Sequence, residues 1–174
     1  MQRLEIRWAL KAALAVMAAT EMMASEAETR RRIVVSIPDR KIALIENGQV
    51  ARVYSIAVGA AATPSPSGEY TVATLIPHPT WYQPGKVVRP GPANPLGTRW
   101  IGLSLPGYGI HGTNQPRSIG HNASHGCIRM RNRDVEELFG RVRVGDVVEL
   151  RGARDAEVAK IFGESEVASV AGEE

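Results

Sequence analysis

The chain has 174 residues, enough for one domain of ordinary size plus a targeting segment or tail, and too few for two full cores. With 44% hydrophobic and 22% charged residues it can bury a core, which excludes a disordered chain and a multispanning membrane protein. A net charge of +3 falls short of the basic stripe of a nucleic-acid binder but favours an anionic substrate or surface, and a single cysteine, Cys127, excludes an intramolecular disulfide or a C-x-x-C site.

Arg3, Arg7 and Lys11 precede an apolar run over residues 12–19, and Ser25-Glu26-Ala27 then offers small residues where a signal peptidase reads. Residues 1–27 are therefore expected to be a secretory signal, since the run is too short for a permanent span. Strands are expected over 33–37, 41–46 and 49–58, with Pro38-Asp39 turning the first into the second. Asn47-Gly48 is the type I′ hairpin signal between the other two. Residues 63–68 are too rich in proline for strand or helix, and a strand follows over 69–75. Residues 77–98 hold six of the eleven prolines and read as a long excursion, a lid or binding wall in which Trp81 and Tyr82 either anchor the loop or touch substrate. Trp100 to Leu105 alternates, with Ile101, Leu103 and Leu105 on one face, and a short strand over 108–112 carries His111 at its end. One helix is expected inside the domain: Asn132 caps it, Asp134, Glu136 and Glu137 suit its N-terminal end, and Val135, Leu138, Phe139 and Val142 form its apolar stripe before Gly140 or Gly145 stops it. A last strand over 146–150 closes the domain, and 151–174 reads as a charged, part-helical tail without evident chemistry. The class is mostly β with one helix.

Three of the four histidines lie within residues 111–127, beside the only cysteine. If residues 124–130 are extended, His125, Cys127 and Arg129 share one face, while Ile128 and Met130 face the core. A cation beside Cys127 favours the thiolate, His111 and His125 both qualify as its base, and the N–H groups of Gly126 and Cys127 are candidates for an oxyanion hole. A zinc site built from His121, His125, Cys127 and His111 is the rival. The i,i+4 histidines would need a helix that Gly126 and the alternation argue against, and no carboxylate stands near as a supporting partner. A wall-binding module without catalysis would have no need of Cys127 and His111.

His111-Gly112-Thr113 followed by Ser124-His125-Gly126-Cys127-Ile128-Arg129-Met130 resembles the signature of the L,D-transpeptidase catalytic domain of bacterial cell-wall enzymes. The resemblance extends over residues 32–150, through 33–59, 63–70, 94–98 and 144–146 in the same order. It implies a β-sandwich-like fold with mixed sheets and a thiol that attacks the bond after the diamino acid of a peptidoglycan stem tetrapeptide. D-Ala leaves, and the acyl group passes to an amine or, in an L,D-carboxypeptidase, to water. By the same resemblance Cys127 is the nucleophile and His111 the proton carrier. Ser124, His125 and Gly126 supply positioning and oxyanion elements, the Gly112 carbonyl orients His111, and Arg129 and Tyr108 lie at the substrate. His78 and His121 are expected to face solvent. No cofactor is implied; stem peptides and a protein lysine are the expected partners, the wall or periplasm the location, and carbapenems the expected inhibitors.

Overall fold

The computed structural model describes residues 31–163. The expected signal over 1–27 and the end of the expected tail lie outside them. Twelve strands, two helices and one 3-10 turn occur among the described residues. One eight-stranded mixed sheet carries most of them. It runs β11 (Ile128–Arg129), β9 (Gly109–His111), β8 (Arg99–Leu103), β5 (Gly68–Pro77), β12 (Val147–Arg151), β1 (Arg31–Ser36), β2 (Lys41–Glu46) and β3 (Gln49–Ser55), with β11/β9 and β12/β1 parallel and the other pairs antiparallel. The sheet curls until its ends meet. Just beyond β3, Ala57 exchanges both backbone hydrogen bonds with Arg129 of β11, at 2.8 and 2.9 Å.

The Asn47-Gly48 hairpin forms as its turn chemistry requires, with φ of 54° and 73°. The expected strand over 49–58 ends earlier, and the chain resumes as β4 (Val58–Gly59), which pairs in parallel with β10 (Asn122–Ser124). Ile33, Val35, Ile42 and Leu44 point into the main core, together with Val135, Leu138 and Val142 from the helix region. Helix α1 (Asn132–Phe139) thus covers the inner face of the sheet.

Two readings about helices need refinement. The tail is part-helical as expected, but its helix, α2 (Ala156–Phe162), is a second helix of the domain, because its Ile161 and Phe162 pack on Val34, Ala43 and Ile45 on the outer face. Strands β1 and β2 are apolar on both faces because both faces are covered. Asp155 caps α2 by accepting a hydrogen bond from Val158 N–H at 2.9 Å, and the charge of the segment goes into ion pairs of Arg32 and Arg151 with Glu149 and Glu157. Asn132, in turn, is not the cap of α1. The N-cap is Arg131, without a side-chain bond, and the Asn132 Oδ1 instead accepts from Thr113 N–H at 3.0 Å, tying the helix to the loop after His111.

The excursion at 77–98 contains a small hairpin, β6 (Trp81–Gln83) and β7 (Lys86–Val88). Its base is fixed by buried Asn94, whose Nδ2 donates to the carbonyls of Pro79 and Val88 at 2.8 and 3.1 Å, while its Oδ1 accepts from Leu96 N–H at 2.8 Å. Tyr82 is 73% exposed, so of the two roles open to it from the sequence, anchoring the loop is not the one it takes.

Candidate active site

The site is built where the two ends of the sheet close. Residues 122–130 are not one continuous strand: β10 ends at Ser124, Gly126 takes φ of 110°, and β11 starts at Ile128. A side chain is disfavoured at that φ, and a Cβ on Gly126 would also stand 2.8 Å from the Tyr108 ring. The inward and outward order survives the turn. Gly126, Ile128 and Met130 are buried, whereas His125, Cys127 and Arg129 line one cavity of about 410 Å³ together with His111 and the edge of buried Ser124. Tyr108 packs over Gly126 and is not among the residues lining that cavity.

Hydrogen bonds hold the turn from both sides. Ser124 Oγ donates to the Cys127 carbonyl at 2.5 Å and accepts from Gly126 N–H at 3.0 Å. Ser65, in the proline-rich loop, donates to the Gly126 carbonyl at 2.8 Å and accepts from Gly59 N–H at 2.9 Å. Thr63 Oγ1 donates to the Ser124 carbonyl at 3.2 Å. One consequence bears on the expected oxyanion hole. The Gly126 N–H is already engaged by Ser124, which leaves the Cys127 N–H, without an acceptor among the described residues, as the donor in hand.

His111 ends β9 beside β11, in register with Arg129, and is 5% exposed. Its Nδ1 lies 2.6 Å from the Gly112 carbonyl oxygen. A carbonyl only accepts, so Nδ1 carries the hydrogen and Nε2 keeps a free lone pair. Gly112 is glycine for a further reason: Asn132 fills the space a Cβ would take, with its Oδ1 only 2.2 Å from that point. Trp100, directly opposite His111 on β8, stacks on the imidazole with centroids 5.6 Å apart and planes at 21°.

The electrostatics depart from the sequence expectation. Burial pushes the Cys127 thiol above its ordinary value, against the opposing pull of the Gly109 amide and the Arg129 guanidinium, so the neighbouring cation does not win. Burial also lowers His111 to about 4, with the Gly112 bond opposing and Arg129 adding to the fall. At neutral pH both groups rest uncharged, the thiol donating toward the Gly107 carbonyl at 3.6 Å.

The excursion at 77–98 does supply a wall of this cavity, through Trp81 and Lys86, whereas sequence reasoning missed Lys86 and the site roles of Trp100, Ser65, Asn94 and Asn132. The cross-strand pairing of Trp100 with His111 was the one available signal, since both belong to recognisable short strands. His78 and His121 are exposed, as expected, and lie outside this cavity. Among the described residues no three His, Cys, Asp or Glu side chains converge as a metal site would require.

An imidazole with a fixed tautomer, a half-buried thiol and a turn-bound N–H in one open cavity make a set suited to acyl transfer through a thioester. The comparisons point the same way. The chain is 41% identical over 119 residues to the putative L,D-transpeptidase YkuD of Bacillus licheniformis, covering 68% of this chain and 64% of the relative, so it spans less than two thirds of that relative's length. The NMR structure of the catalytic domain of the E. faecium L,D-transpeptidase superposes with a TM-score of 0.58 at 25% identity, covering 70% of this chain and 96% of that one. An L,D-transpeptidase solved in complex with imipenem, LdtMt1, shares the fold with a TM-score of 0.59 at 22% identity, over 70% of this chain and 58% of that one. Because the profile of the L,D-transpeptidase catalytic domain matches residues 30–150, the stretch that carries both the curled sheet and the thiol cavity, the chain belongs to that family.

Proposed function

We propose that this chain is a peptidoglycan L,D-transpeptidase acting through Cys127 and His111. The observation that supports it best is the tautomer of His111: with Nδ1–H held by the Gly112 carbonyl, Nε2 is free to accept a proton in the cavity that Cys127 lines. In the reaction, Cys127 passes its proton to Nε2 as sulfur attacks the carbonyl of the stem's diamino acid, and the Cys127 N–H receives the developing oxyanion. His111 then protonates the leaving D-Ala nitrogen, the C–N bond breaks and a thioester remains. An acceptor amine gives a proton to His111, attacks the thioester and releases the thiol with its proton restored. Because both groups start neutral, proton transfer accompanies attack and no thiolate is stored beforehand. Ser124 and Gly126 shape the turn, and exposed His125 borders the cavity without a hydrogen bond to the turn.

The acceptor is a second stem amine, a protein lysine or water, and the substrate places the working enzyme outside the cytoplasmic membrane, in the periplasm or wall. Among the described residues no helix is long and apolar enough to cross a membrane. The test is incubation with disaccharide-tetrapeptide, with and without an amine acceptor, followed by mass measurement of the products. Release of D-Ala with a cross-linked product, abolished in Cys127→Ala together with the single covalent adduct expected from a carbapenem, supports the reading. Activity or an adduct surviving in Cys127→Ala refutes it.

A further inference from the structure

The cavity around Cys127 has cations on two walls and no carboxylate. Arg129 stands on the strand side, Lys86 on the β6–β7 hairpin side, and no Asp or Glu lines the space between. Neither cation takes part in an ion pair among the described residues, whereas Arg32, Arg141 and Arg151 all do. An unpaired surface lysine is ordinarily unremarkable, but this exposed one rests against an aromatic ring of the cavity wall. Its Nζ lies 5.8 Å from the centroid of the Trp81 ring, and half-buried Trp81 lines the same cavity. The hairpin beneath it is pinned by Asn94, which is 1% exposed. The exposed ammonium therefore stands on the wall of the same cavity that the nucleophile and the half-buried Arg129 guanidinium line. Burial already disfavours the Arg129 charge, and an arriving anion would relieve that cost.

We propose that Lys86 is a specificity-determining residue that reads a free carboxylate of the acyl donor, so that donors with this carboxylate intact are preferred over amidated ones. The proposal rests on the function given above. A stem tetrapeptide offers two carboxylates near the scissile bond: the side-chain carboxylate of a diaminopimelate-type third residue, retained in the thioester, and the terminal carboxylate of the departing D-Ala. Both present the same chemistry to an ammonium, and amidating each in turn distinguishes them.

The experiment compares the full chain, Lys86→Gln and Lys86→Arg on three donors: unmodified, amidated on the third residue's side chain, and amidated at the C-terminus. An ion pair at a wet rim is worth at most about 1 kcal/mol, so Lys86→Gln is expected to lower kcat/KM about fivefold on the unmodified donor, chiefly through KM. Lys86→Arg restores it, added salt narrows the gap, and the gap closes on one amidated donor, which identifies the carboxylate. An equal loss on all three donors, or none on any, overturns the proposal. Calorimetric binding of the same donors to Cys127→Ala, with and without Lys86→Gln, separates the two readings. Lys86-dependent binding that amidation abolishes, without turnover in the wild type, preserves the carboxylate subsite and removes the transpeptidase. Turnover without Lys86 dependence does the reverse.

Discussion

Acid should destabilise this protein through one side chain, His111, before its carboxylates titrate. Burial holds the imidazole at about 4, against 6.5 for the free side chain. In the unfolded chain the ring protonates near 6.5, so between these values the unfolded state binds more protons and stability falls as pH falls. At 1.36 kcal/mol per pH unit the whole gap corresponds to about 3 kcal/mol, of which about 2 kcal/mol is lost between pH 7 and pH 5. His111→Gln can keep an N–H directed at the Gly112 carbonyl but takes up no proton. Urea unfolding of both proteins at the two pH values is the assay. The wild type should lose about 2 kcal/mol more than the variant, a difference in midpoint of about 1 M for a urea slope near 2 kcal/mol/M. Other titrating groups are common to both proteins and cancel in the difference. Parallel losses in the two proteins would show that His111 is not held neutral by burial, and the neutral resting pair would go with it.

Gly126→Ala should cost about 1–3 kcal/mol in stability, because it combines a φ of 110° with a Cβ 2.8 Å from Tyr108, and should lower turnover at least tenfold as the Cys127 N–H moves; wild-type unfolding and turnover would contradict the tight-turn argument. Trp100→Leu removes a stack worth about 1 kcal/mol to the orientation of His111, so kcat should fall about fivefold with KM unchanged. A rise in KM at constant kcat would instead make Trp100 a binding residue.

The strands and the first hairpin were legible because their signals are local: Asn47-Gly48 specifies positive φ at two positions, and alternation over 100–105 specifies one buried face. Helix α2 was harder to see. Its seven residues carry little periodicity, yet the unbroken runs Ile33-Val34-Val35 and Ile42-Ala43-Leu44-Ile45 implied a cover on both faces of β1 and β2, and α2 is the second cover. Asn132 was misread for a physical reason. Its side chain is the kind that caps helices, but a longer-range partner, the Thr113 N–H, competes for the same oxygen and takes it. The hairpin at 81–88 was hidden by flanking prolines and is organised by Asn94, whose bonds reach up to fifteen residues along the chain and leave no local pattern.

At the site, the pattern specified which side chains share a cavity but not how deep they sit. The alternation that placed His125, Cys127 and Arg129 together passes through a left-handed Gly126, because the turn reverses no side-chain face. Charge was read wrongly because proximity alone was counted. Arg129 does favour the thiolate, but the cost of charging a buried sulfur is larger, and depth is a property of the closed sheet, not of residues 124–130. This difference has a chemical consequence. Thiol reactivity toward adventitious electrophiles and oxidants follows the thiolate fraction, so a thiol kept protonated is quiet at rest. Under the mechanism proposed above, it becomes nucleophilic only when a carbonyl is positioned to receive the charge that His111 helps release. A neutral pair working in that way would tie reactivity to a bound acyl donor, and the groove proposed to select the donor would also control when the sulfur is charged.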